Sequence, residues 1–191
     1  MTDRKQQILG TLLLLAVGLS SWFGLQKAFY QETAMYKPST EPDAFMETII
    51  VKRMDLNGNL ENELRSPRMD HYSEGNTTHL AEPSLILYSK RSGVPPWYIT
   101  ALHGRAHKGT EWIELWDKVK GYRPAEGNQA AITFLTEAAT LFPDKKFATT
   151  KLPVQAIQGG LVVNGVGMNV DLQKDEIELL SKVKSVYVPA V

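Results

Sequence analysis

A chain of 191 residues with 21 basic and 21 acidic side chains and no cysteine has room for one globular domain plus an extension. Its zero formal net charge gives no general attraction to nucleic acid or acidic membrane. The absence of thiols excludes disulfides, cysteine nucleophiles, zinc knuckles, iron–sulfur clusters and the acylated cysteine of a lipoprotein.

Residues 1–26 read as a short cytoplasmic head and a transmembrane anchor. No residue from Gln6 to Gln26 is charged, and "ILGTLLLLAVGLSSWFGL" is almost continuously apolar. About twenty helical residues cross the ~30 Å hydrocarbon layer. Arg4 and Lys5 precede the run, and Trp22, Phe29 and Tyr30 lie near its far end as an interfacial belt. A cleaved signal peptide is the alternative, with Ala16-Val17-Gly18 as a small-x-small site, but apolar sequence continues to Leu25. A retained anchor, N-terminus inside and domain outside the cytoplasm, is the expectation. Residues 27–43, with Pro38 and Pro42 and no apolar period, read as a membrane-proximal linker.

Residues 44–191 break into short runs separated by turn signals, among them Asn57-Gly58, Glu74-Gly75-Asn76, Lys108-Gly109, Gly127-Asn128, Pro143-Asp144, Gly159-Gly160 and Lys174-Asp175. The runs are strand-length and several are rich in Val, Ile, Thr and aromatics, which indicates an antiparallel sandwich or barrel. "AAITFLTEAATLF" and "DEIELLSKVKSVY" also carry helical periodicity. Their Thr133, Phe134, Thr136 and Thr140, and their Val183, Val186, Tyr187 and Val188, favour strand. Strand–turn–strand units recur at roughly 30-residue spacing, as degenerate hairpins that need their neighbours to bury a shared face.

Little in these runs carries reactive chemistry. His103 and His107 in "HGRAH" lack a third ligand nearby in sequence, so no metal is expected. Glu61 with Glu63, and Glu176 with Glu178, alternate with apolar residues and read as solvated faces. Gly165-Val166-Gly167 lacks the strand–helix context of dinucleotide binding and reads as a hairpin turn. No catalytic residue and no cofactor is expected. An alternating all-β interior suits either an ordinary packed core or a groove for acyl chains, and periodicity by itself favours the core.

Three stretches, taken in order behind an apolar N-terminus, resemble the LptC family. They are "LNGNLENELRSPRMDHYSEGNTTHLAEPSLILY", "WYITALHGRAHKGTEWIELWDKV" and "GGLVVNGVGMNVDLQKDEIELLSKVKSVY". Gly58, Leu60, Leu64, Ser66, Tyr72, Pro83, Leu85 and Leu87 match the first motif, and Ala101, Gly104, Ile113, Leu115 and Val119 the second. Gly160, Gly165, Gly167 and Met168 match the third. Asp117 stands where the family has glycine, which leaves the local bend open.

The resemblance implies an all-β, twisted β-jelly roll of antiparallel strands (OstA-like) behind one transmembrane helix, in the periplasm. It implies lipopolysaccharide received from the ABC transporter LptB–LptF–LptG and passed to the bridge protein LptA, for assembly of the outer membrane. On that reading the inward set lining a lipid groove is Leu60, Leu64, Leu85, Leu87, Ile99, Ile113, Leu115, Phe134, Met168 and Val170. Phe45–Met54 and the transmembrane helix would face LptF and LptG. Gly160, Val183, Val186 and Val188 would face LptA, with Pro189 ending the ladder. Two alternatives stand beside it: a membrane-anchored β scaffold without a lipid ligand, and a glycan-processing enzyme with a carboxylate pair in a cleft.

Overall fold

The computed structural model describes residues 41–91 and 93–187. The anchor expected over 1–26, most of the linker and Val188 lie outside them. Eleven strands follow one another: β1 (Ala44–Met54), β2 (Leu60–Tyr72), β3 (Thr77–Ala81), β4 (Ser84–Leu87), β5 (Trp97–Thr100), β6 (His103–His107), β7 (Trp112–Arg123), β8 (Ile132–Phe142), β9 (Phe147–Gln158), β10 (Leu161–Asp171) and β11 (Glu176–Tyr187). A 3-10 turn, Glu74–Asn76, joins β2 to β3. Both segments with mixed periodicity are strands, β8 and β11, as their β-branched content indicates.

All pairings are antiparallel and make one eleven-stranded sheet. The short strands behave as halves of longer ones. β2 pairs β4 through its first half and β3 through its second, and β7 pairs β6 and then β5 in the same way. β3–β4 and β5–β6 are therefore two long strands, each broken once. Beyond β7 the order follows the chain, β7-β8-β9-β10-β11, so β1 and β11 are the two edges.

The breaks fall on one line across the sheet. Thr48 of β1 is skipped in the pairing with β2 and lies opposite Pro67. Pro67 borders Glu82-Pro83, which faces Ala101-Leu102, and these face Asp117-Lys118. The line continues through register shifts at Thr136/Thr140, at Val166/Met168 and near Ser181. Thr48, Glu82, Asp117, Lys118, Gly167 and Lys182 on this line all have positive φ. A bulge leaves residues unpaired and bends its strand. Breaks and register shifts aligned across the strands crease the sheet, so a single sheet supplies both faces where a sandwich would use two. Asp117 keeps the bend at φ 61 without a glycine there.

Lys118, at φ 59 and exposed, carries a conformational cost that glycine does not. Lys118→Gly is expected to leave stability unchanged or raise it by up to about 1 kcal/mol, and Lys118→Val to lower it by about 1–3 kcal/mol. Thermal unfolding of the pair checks this; a more stable valine variant would refute strain at the crease.

The crease brings the inward residues of both arms into one cluster that includes Leu64, Leu85, Ile99, Ile113, Leu115, Phe134, Leu141, Met168 and Val170. Gly121 makes room for Phe134: a Cβ at Gly121 would sit 2.1 Å from the ring. Turns join the far rims of the two arms. Arg53 pairs with Asp144, Lys146 Nζ donates to the Tyr88 carbonyl at 2.6 Å, and Trp97 Nε1 donates to Asp175 at 3.0 Å.

Candidate functional site

Alternation along creased strands decides which side chains turn inward. Leu64, Leu85, Leu87, Ile99, Ile113, Leu115, Phe134, Met168 and Val170 share the buried cluster, the last two being fully buried. Leu60 is half-buried at the rim and lines a separate, polar cavity. Nine of the ten residues expected to line a groove are thus buried in one packed cluster.

Open apolar space lies toward the β11 edge. A cavity of about 350 Å³ is lined by Ile132, Ala156, Ile157, Leu161, Val163, Asp175, Ile177, Leu179 and Val183. Ile177 and Leu179 pack against the buried cluster from β11, so the cavity continues the core outward. They face inward because their ladder partners, Val170 and Met168, are buried there. Glu178 pairs with Asn169 on the opposite face.

A polar cluster stands where this cavity meets the rim. Asp175 accepts a hydrogen bond from Arg91 Nη2 at 2.6 Å and one from Trp97 Nε1 at 3.0 Å, and it pairs with Arg123 Nη1. Arg123 ends the inward row Val119, Gly121, Arg123 of β7 and is 1% exposed. Its Nη2 donates to Gln129 at 3.3 Å, and its guanidinium lies 5.9 Å from the Trp97 ring centre. Farther along the rim, Lys146 is buried, and desolvation lowers the pKa of its ammonium. It shares a cavity of about 420 Å³ with Lys90, Arg91, Glu61 and Leu60.

Both edge strands are exposed and apolar. β1 shows Phe45, Met46, Ile50, Val51 and Met54 to solvent, and β11 shows Leu180, Val183, Val186 and Tyr187. The start of β1 is fastened by Asp43, which accepts from Ser73 and contacts His71 Nδ1 at 2.7 Å. Those two contacts hold the Asp43 carboxyl below its ordinary range, and the bonds to Asp43 and Asn76 raise the pKa of His71. Gly160 closes the β9–β10 turn at φ 83, so any side chain there strains the turn.

Other singled-out residues take ordinary places. His103 stacks on Trp116 and meets Asp117 at 2.9 Å, and His107 stacks on Trp112 and meets Glu114 at 3.1 Å. Glu176 and Glu178 are exposed. Glu63 departs from the solvated reading: it is 3% exposed, paired with Arg65 and 3.8 Å from Lys52 Nζ. Ile157, Val163, Ile177, Leu179 and Arg123 were not singled out by the sequence pattern, and Asp175 only as a turn residue. Ile177 and Leu179 carried a usable signal, since they alternate with Glu176 and Glu178.

A family model described as lipopolysaccharide-assembly, LptC-related, matches residues 11–188. None of the curated proteins matches the sequence. Among solved structures, the crystal structure of LptH from Pseudomonas aeruginosa is similar with a TM-score of 0.52 at 10% identity. The match covers 67% of this chain and 95% of that one. LptH is described as the LptA-homologous periplasmic component of the lipopolysaccharide transport device. At that identity the likeness is one of fold.

Proposed function

This chain belongs to the LptC family of lipopolysaccharide-assembly proteins, and from that premise we propose that it binds lipopolysaccharide outside the inner membrane and relays it. The chain is a component of lipopolysaccharide transport. The finer reading is that its N-terminal helix anchors it in the inner membrane, with the β domain in the periplasm. It receives lipopolysaccharide from the LptB–LptF–LptG transporter near β1 and passes it to LptA at β11. It does so as a binding protein rather than as an enzyme.

The observation that carries this reading is the apolar cavity beside β11. Its volume of about 350 Å³ falls in the range of small-molecule sites, roughly 300–1,000 Å³. Burying a methylene contributes about 0.8 kcal/mol, so hydrocarbon alone holds an acyl chain there without a reactive group. Two exposed apolar edges at opposite ends of one sheet suit strand addition on both sides. The packed centre of the sheet favours the scaffold reading, in which no lipid enters.

A photo-crosslinking amino acid decides between the two. Placed at Leu179, inside the cavity, it is expected to capture lipopolysaccharide in cells; placed at Glu178, on the other face of the same strand, it is expected to give about a tenth as much or less, since a strand turns successive side chains to opposite faces. Equal capture from both positions, or none from Leu179, would overturn cargo binding at this site.

A further inference from the structure

The rim cluster carries one positive charge in excess. Arg91 and Arg123 converge on one carboxylate, and among the described residues no other acid pairs with either arginine. Arg123 is 1% exposed, and its Nε has no hydrogen-bond partner. A guanidinium offers five N–H donors, and burying them with only partial pairing is unfavourable. The carboxylate that meets them belongs to the β10–β11 turn and lines the apolar cavity at the same time. Cationic donors, an indole N–H and a hydrocarbon pocket therefore meet at one point.

We propose that Arg91, Arg123 and the Trp97 N–H form a binding site for a phosphate monoester, the head of an acylated amphiphile, and that Asp175 occupies it in this structure. Phosphate oxygens accept from guanidinium forks in the same way a carboxylate does. A phosphate dianion balances two guanidiniums, where one carboxylate leaves a charge over. With the phosphate at the rim, the acyl chain lies in the cavity between Ile177, Leu179 and Val163. Asp175 is then a built-in competitor: cargo entering displaces it, and its return favours release. The lipid part of this proposal rests on the cargo reading above; the anion site does not.

The test uses the full-length protein in detergent, as wild type, Asp175→Asn and Arg91→Gln. The probes are a phosphorylated acylated glucosamine disaccharide, the same lipid without phosphate, and inorganic phosphate. Charged hydrogen bonds of this kind correspond to about tenfold in affinity or more. Wild type is expected to prefer the phosphorylated lipid by about that factor, and Arg91→Gln to lose the preference. Asp175→Asn is expected to bind the phosphorylated lipid about tenfold tighter and the phosphate-free lipid as before.

A preference unchanged in both variants would reduce the cluster to a structural clasp and overturn the site. Inorganic phosphate raising the thermal midpoint of Asp175→Asn as far as the phosphorylated lipid does would overturn the lipid assignment. If neither lipid binds wild type, the cargo reading fails. The anion site then stands or falls on whether inorganic phosphate raises the midpoint of Asp175→Asn but not of Arg91→Gln. Should Asp175→Asn not fold, Arg91→Gln decides alone, because Arg91 is an exposed side chain.

Discussion

Gly121→Ala lowers the thermal midpoint by about 6–12 °C, the equivalent of about 3 kcal/mol in a domain of this size. The added methyl would lie 2.1 Å from two ring carbons of Phe134, far inside contact distance. Phe134 is 1% exposed and lies 5.9 Å, centre to centre, from Trp97, itself 2% exposed, so the ring has no empty space to enter. Gly121 and Phe134 are ladder partners on adjacent strands, so the clash is built into the pairing. Phe134→Leu in the same chain shortens the facing side chain and should return part of the loss, as expected for contacting residues whose effects do not add. Calorimetry of the two single variants and the double variant checks both statements. A midpoint for Gly121→Ala within 2 °C of wild type, on the scale of a surface change, would show that the ring can step aside.

Removal of residues 181–191 should weaken association with a strand-adding partner at β11 by about 100-fold or more. Ser181–Tyr187 is exposed along its whole length and pairs with β10 on one side only, so its other side offers unpaired backbone groups. Three or more added ladder hydrogen bonds, at about 1 kcal/mol each, correspond to that factor. Stability should fall little, because Ile177 and Leu179, which reach the core, remain. Binding of purified LptA to the truncated and complete chains, alongside their melting curves, measures both. Undiminished binding by a folded, truncated protein would move the contact away from this edge. Lys182 and Lys184 fit an edge that pairs selectively, since edge lysines oppose indiscriminate stacking.

Alternation made much of this legible. Leu85 with Leu87, and Ile113 with Leu115, stand two apart and turn the same way, and the pairing keeps them on one face. The edge positions of β1 and β11 follow from their places at the two ends of a mostly sequential sheet. The crease was not legible. Its left-handed positions are occupied mostly by Thr48, Glu82, Asp117, Lys118 and Lys182, which carry none of the signal a glycine would. Pro67, Pro83 and Pro153 border it on three strands only. The rim cluster was hidden for a different reason. Arg123 at a strand end and Asp175 in a turn are each what solvated surface looks like, and only the closure of the two arms, 52 positions apart in sequence, buries one against the other.

The crease also governs how the domain comes apart. Every long strand crosses it, so neither arm is a separate piece of chain, and each long strand adds to both arms. From β7 onward each strand pairs with the one made next, across turns short enough that loop closure costs little entropy. Assembly can therefore zip strand by strand, with both arms lengthening together. Amide exchange should accordingly be slowest in β7, β8 and β9 and faster toward β1 and β11. Protection should run as a gradient across the ladder, with no step between the arms.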